Sequence, residues 1–138
     1  RPNHVHYRSR LTPSRLRTIL RHVQILPIDF PDDGTSTPIV RVPARLSHEN
    51  ADAMKRTAEH CFACHEVSRL VLDLSLVEVV TSIGVTSLLE AKQLASDHGA
   101  EMILAGLPGR HREFFRLLRV EGLFQFADSV EDAVSDGS

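Results

Sequence analysis

Ser68-Arg69 leads into Leu70-Val71-Leu72-Asp73-Leu74, a run broken only by Asp73, and after Ser75 to Val80 the chain reaches Thr81-Ser82-Ile83-Gly84-Val85. A near-continuous apolar run of this length reads as a central strand covered on both faces. Ser75 to Val80 reads as a loop. Beyond it Val85, Leu88, Leu89, Leu94 and Ala95 fall at helical spacing as far as about His98, and Gly99 supplies the C-terminal stop. Ala100 to Ala105 then reads as a second strand. This strand, helix, strand order implies parallel pairing with a helical crossover and decides the fold class.

Working upstream, Ser47-His48-Glu49-Asn50 opens an earlier helix, with Ser47 or Asn50 as its cap. Met54, Ala58, Cys61 and Phe62 recur three and four residues apart, which places them on one buried face. Before that helix, Gln24 to Phe30 and Pro38 to Leu46 flank the turn signal Pro31-Asp32-Asp33-Gly34-Thr35. They read as a β-hairpin whose prolines suit edge positions. Downstream, Gly106-Leu107-Pro108-Gly109 turns into a third helix. It faces Phe114, Phe115, Leu117 and Leu118 inward and ends at Gly122. Phe124 to Phe126 reads as a short last strand, and Ser129 caps a terminal helix running to Val134. The reading is α/β: about four to five strands, a hairpin and then parallel βαβ order, with about four helices.

The 138 residues are 42% hydrophobic and 25% charged, close to the globular average, which excludes collagenous and wholly disordered classes. No apolar run approaches the roughly 18–20 residues of a membrane-spanning helix. The formal charge of −2 hides an asymmetry, because Arg1, Arg8, Arg10, Arg15, Arg17 and Arg21 all precede the first acidic residue, Asp29. Residues 1–23 therefore read as a basic arm, in which Leu16, Ile19, Leu20 and Val23 form a short amphipathic stretch. Residues 24–138 read as one domain.

Four features carry potential chemistry. Cys61-Phe62-Ala63-Cys64-His65 matches the C-x-x-C-H pattern of haem attachment and offers ligand types suited to zinc. Its place on a helix whose apolar face already uses Cys61 and Phe62 favours a structural role. Gly106-Leu107-Pro108-Gly109-Arg110 has the strand-to-helix setting of a phosphate cradle. It lacks the spacing of either nucleotide fingerprint, so it reads as a plain turn. Asp73 reads as a polar strand end rather than a catalytic acid. Thr81-Ser82 begins a helix, where a hydroxyl has two available roles: capping the free amides, or accepting a phosphate that the helix N-terminus stabilises. The residues leave both open.

Taken together, the hairpin, Leu70-Val71-Leu72-Asp73-Leu74, Thr81-Ser82-Ile83-Gly84-Val85, His98-Gly99-Ala100-Glu101-Met102-Ile103-Leu104 and Val120-Glu121-Gly122-Leu123-Phe124 resemble a STAS domain, the family of bacterial anti-sigma factor antagonists. The resemblance spans roughly Gln24 to Val134. The family's central motif is Asp-Ser-Ser/Thr-Gly, and its first Ser is the phosphoacceptor. Position by position, Ser82 matches that serine and Gly84 the glycine, while Thr81 replaces the Asp and Ile83 the second hydroxyl residue.

The resemblance implies a non-catalytic cytoplasmic switch without cofactor or metal. It would dock an anti-sigma factor that is itself a serine kinase through Thr81, Ser82, Ile83, Gly84 and Val85. Phosphorylation at Ser82, with Thr81 the less favoured acceptor, would release the partner, and a protein phosphatase would reset the cycle. Neither direct nucleic-acid binding nor a membrane span is implied. Divergent members that vary at the motif positions serve instead as scaffolds or transporter-associated subunits without phosphorylation, and a haem or metal protein through Cys61, Cys64 and His65 is the distant third reading.

Overall fold

The computed structural model describes residues 25–30, 36–64 and 66–135, so the basic arm, the Pro31–Thr35 turn and His65 lie outside the described residues. Among the described residues, seven strands and four helices follow in the order β1 (Ile28–Asp29), β2 (Ile39–Arg41), β3 (Arg45–Leu46), α1 (His48–Cys64), β4 (Arg69–Asp73), β5 (Val79–Val80), α2 (Ser82–Asp97), β6 (Glu101–Ala105), α3 (Gly109–Leu117), β7 (Gln125–Ala127) and α4 (Val130–Ser135). A 3-10 turn, Glu121–Leu123, precedes β7.

The apolar run read as a central strand is β4, the middle of a five-stranded sheet ordered β1-β2-β4-β6-β7. β1 and β2 pair antiparallel as the expected hairpin, with Ile28 opposite Val40. The remaining neighbours are parallel: Val40 lies opposite Leu72, Leu72 opposite Leu104 and Leu104 opposite Phe126. Because side chains alternate along each strand, this register lines Val40, Leu72, Leu104 and Phe126 on one face. On that face they join the main core with Met54, Ala58, Cys61 and Phe62 of α1, Val85 and Leu88 of α2, and Phe115 of α3. The opposite face carries Val71, Ile103 and Ala105 under Ala133 of α4. Arg69 borders this second cluster, donating to the Ala133 carbonyl at 3.0 Å and to Glu101 at 3.3 Å.

Helix ends follow local chemistry where it was legible. Ser47 Oγ accepts from the Glu49 amide at 3.4 Å, and Ser129 Oγ accepts from the Asp132 amide at 3.1 Å. Gly99 sits just past α2 at φ +73°, a conformation that a side chain would strain.

Three departures from the sequence reading have physical causes. The segment Pro38 to Leu46 is not one strand, since Pro43, which has no N–H, interrupts it; β3 leaves the main sheet and pairs in parallel with β5 in a separate two-stranded sheet. Ser75 to Val80, read as a loop, therefore ends in a strand. The third helix stops at Leu117, not Gly122, because Arg119 turns left-handed at φ +62°. Leu117, off the face set by His111 and Phe115, is 74% exposed and Leu118, past the helix end, lies at the surface as well, so of the four residues expected inward only Phe115 is buried and Phe114 half-buried.

Candidate functional site

The two-stranded sheet is what places the start of α2. Leu46 lies opposite Val80, and the Leu46 carbonyl accepts the Thr81 amide at 3.0 Å. Thr81 then leaves the strand in an extended conformation, φ −113° and ψ 168°, as the N-cap of α2. Its Oγ1 accepts from the Gly84 amide at 3.2 Å, and its hydroxyl donates to the Leu46 carbonyl at 3.5 Å. Capping is thus done by Thr81.

Ser82 is the first helical residue and is exposed. No hydrogen bond to its hydroxyl occurs among the described residues; only its carbonyl is used, accepting from Thr86 Oγ1 at 3.0 Å. Helix geometry leaves the amides of Ser82 and Ile83 without an intrahelical carbonyl, and the macrodipole adds partial positive charge at the same end. The surface here therefore combines a free hydroxyl, unsatisfied donors and a field that favours anions.

Ile83 is 53% exposed, a large apolar side chain beside that hydroxyl. Gly84 and Val85 are placed differently. Val85 is only 1% exposed, and Gly84 is pressed so closely onto β3 that a Cβ there would lie 2.0 Å from the Leu46 carbonyl oxygen. Of the five motif residues, Thr81, Ser82 and Ile83 reach the surface, while Gly84 and Val85 support it from beneath.

Residues outside the motif complete the surroundings. In the segment joining β4 to β5, Leu76 is 65% exposed although Val77 beside it is buried. Asp73 Oδ1 holds the start of this segment by accepting from the Ser75 amide at 3.1 Å and the Ser75 hydroxyl at 2.7 Å. Its role is that of a strand end turned into a loop anchor. Gly106, at φ +72°, passes the same segment; a Cβ there would approach that of Ser75 at 3.2 Å.

Below the segment, buried His111 of α3 places Nε2 3.2 Å from the Val77 carbonyl. A carbonyl can only accept, so the ring is held as its Nε2–H tautomer. Burial, reinforced by Arg110, lowers its pKa from the usual 6.5, against a smaller opposing effect of the Val77 hydrogen bond. Leu76 shares an apolar run with Val77, Val79 and Val80, so nothing in the sequence marked it as the exposed one. No signal pointed to His111, whose partner is 34 residues away.

The other sequence candidates sit elsewhere. The Gly106 amide donates to the Ala127 carbonyl at 3.0 Å, and the His111 amide to Pro108 at 2.9 Å, so this turn has spent donors that a phosphate would need. Cys61 is fully buried in the main core, where a thioether-linked porphyrin would have to displace helix packing. Among the described residues no three His, Cys, Asp or Glu side chains come together as a metal site.

Comparison with known proteins bears on this arrangement. A family model, the STAS domain, matches residues 32–133. Among solved structures, the anti-sigma factor antagonist SpoIIAA in its unphosphorylated form is 15% identical with a TM-score of 0.64, over 79% of this chain and 94% of that one. The phosphorylated form of this Bacillus cell fate determinant is 14% identical with a TM-score of 0.59, over 79% and 97%. An anti-sigma factor antagonist from Mycobacterium paratuberculosis is 22% identical, TM-score 0.62, over 80% and 90%. A sulfate transporter family protein from Wolinella succinogenes is 19% identical, TM-score 0.61, over 78% and 93%. At these identities the likeness to solved structures is one of fold.

Proposed function

The chain belongs to the STAS domain family, whose model matches residues 32–133, and on that premise we propose that it is a non-catalytic signalling module of the anti-sigma factor antagonist type. In this reading the surface around Ser82 docks an anti-sigma factor with serine kinase activity. Transfer of phosphate to Ser82 ends the interaction, and a protein phosphatase restores it. The protein works in the bacterial cytoplasm. Among the described residues no helix is long and apolar enough to cross a membrane.

The observation that carries the reading is the division of labour between adjacent hydroxyls. Thr81 is committed to the cap, which leaves Ser82 exposed at the first helical position. There a phosphate meets two unsatisfied amides and the positive end of the dipole, so the domain accepts the modification without unfolding. The cost appears instead in the complex. Ile83 offers apolar surface beside Ser82, and a partner seated on it would bury an uncompensated double negative charge. Such a charge costs about 3 kcal/mol or more, roughly a hundredfold in affinity.

The test is intact mass and peptide mapping of the protein from its own cells under several growth conditions. Added phosphate on the peptide holding Thr81 and Ser82 supports the switch and selects the residue, and a bare mass under every condition counts against it. Ser82→Ala is expected to retain the partner that co-purifies with it, and Ser82→Asp to lose it. Equal recovery by both variants would sink the switch.

A second reading, a transporter-associated or scaffold subunit without phosphorylation, draws on the fold shared with the Wolinella sulfate transporter family protein and on Thr81 and Ile83 replacing the motif's Asp and hydroxyl residue. A bare mass together with co-purifying membrane protein would favour it.

A further inference from the structure

His111 is buried, yet it belongs to neither the Ser82 motif nor the apolar core. Its ring reaches out of the first turn of α3 to the Val77 carbonyl at 3.2 Å. Val77 is buried between exposed Leu76 and the strand that delivers Thr81 and Ser82. Together with the close passage of Gly106 over Ser75, this bond fastens α3 to the β4–β5 segment. That segment is held on its far side by the Glu78 and Val79 amides, which donate to Ala44 at 2.7 and 3.0 Å.

We infer that His111 is an acid-sensitive latch: while its ring is neutral it holds the β4–β5 segment against α3, and when the ring takes a second proton it leaves its site and frees the segment beside Ser82. This concerns the fold around Ser82 and stands whether or not Ser82 receives phosphate.

The physical reason lies in what surrounds the ring. The charged group that faces it is Arg110, from its own helix, and the polar group is the Val77 carbonyl, from the segment; among the described residues no carboxylate contributes to its charge state. His111 also occupies the first turn of α3, where the helix dipole opposes a cation. A second proton would therefore place an imidazolium in a desolvated site beside a guanidinium and a positive helix end. Moving into water relieves all three effects, but it removes the donor from Val77 and leaves a gap beneath the segment.

The experiment is hydrogen exchange on the full chain between pH 7.5 and 5.0, corrected for intrinsic rates, with Ser82 unmodified. If the ring must be neutral in the closed form and titrates near 6.5 once released, protection of the Val77, Glu78 and Val79 amides falls up to about thirtyfold across that range. His111→Gln keeps a neutral donor for the Val77 carbonyl, so its protection there is expected to be flat with pH. Should that variant fold poorly, NMR titration of the wild type serves instead: the Val77 and Glu78 amide shifts should change through the same midpoint as the His111 ring resonances. Constant protection in the wild type, an equal fall in His111→Gln, or amide shifts that ignore the His111 midpoint would each overturn the latch.

Discussion

Replacing Gly84 by Ala is a sign test of how α2 is seated. Helix propensity alone favours alanine by up to about 1 kcal/mol, so a helix free of close neighbours would be stabilised. Here the added Cβ would lie 2.0 Å from the Leu46 carbonyl oxygen and 2.6 Å from its carbon. Real Cβ contacts essentially never fall below 3.0 Å, so helix and strand must separate by about 1 Å. The obstacle is backbone, which cannot rotate aside as a side-chain tip would.

The same carbonyl accepts the Thr81 amide at 3.0 Å, and a displacement of that size stretches the bond past any useful length. Overpacking costs about 1–3 kcal/mol, and the lost hydrogen bond about 0.5–1.5. Set against the full propensity gain, the net is a destabilisation of about 0.5–3.5 kcal/mol. At a typical urea slope near 1.5 kcal/mol per M, the unfolding midpoint followed by circular dichroism should drop by about 0.3–2.3 M. Gly109→Ala is the control, because a Cβ at Gly109, on α3, meets nothing within 4 Å; it should be neutral or slightly stabilising. A Gly84→Ala midpoint equal to or above that of the wild type would refute the close approach, and with it the account of how β3 positions Ser82.

Thr81→Ala removes the acceptor of the Gly84 amide and should cost about 1 kcal/mol by urea unfolding. Thr81→Asp, which restores the family's motif residue, keeps an acceptor and adds a negative charge at a helix N-terminus. It should match or exceed the wild type by about 0.5 kcal/mol, less at high salt. Thr57→Val is isosteric, but Thr57 Oγ1 accepts from the Leu26 amide at 2.8 Å in a fully buried site; losing that acceptor should cost about 1–3 kcal/mol in the same assay. The sign of the His111 contribution to global stability also follows. Its pKa is lower folded than unfolded, so the stabilisation is complete above about 6.5 and is lost as pH falls below it. Thermal melts between pH 7.5 and 5.5 should show a smaller loss in His111→Gln than in the wild type.

Much of the molecule was legible because its signals are local. The apolar run Leu70 to Leu74 marked the central strand, since only a strand covered on both faces needs so continuous a pattern. Gly99 marked the end of α2, and Ser129 the start of α4, because caps act on the nearest few amides. Leu117 and Leu118 misled for the complementary reason. The inward face of α3 runs through His111, Phe114 and Phe115, so Leu117, two positions beyond Phe115, falls off it while still helical, and Leu118 lies past the last helical residue, where the left-handed Arg119 turns the chain away.

The motif was legible as residues but not as roles. By itself, the sequence determined that a hydroxyl pair opens a helix after a buried strand, and that a glycine follows two positions on. It left open which hydroxyl caps and which stays free. Tertiary structure decided that, through a two-residue pairing of β3 with β5 that brings Leu46 beneath Thr81 and Gly84. Strands so short carry no periodicity of their own. Their bonds close across more than thirty residues, so their register exists only once the core that α1 and α2 share has formed.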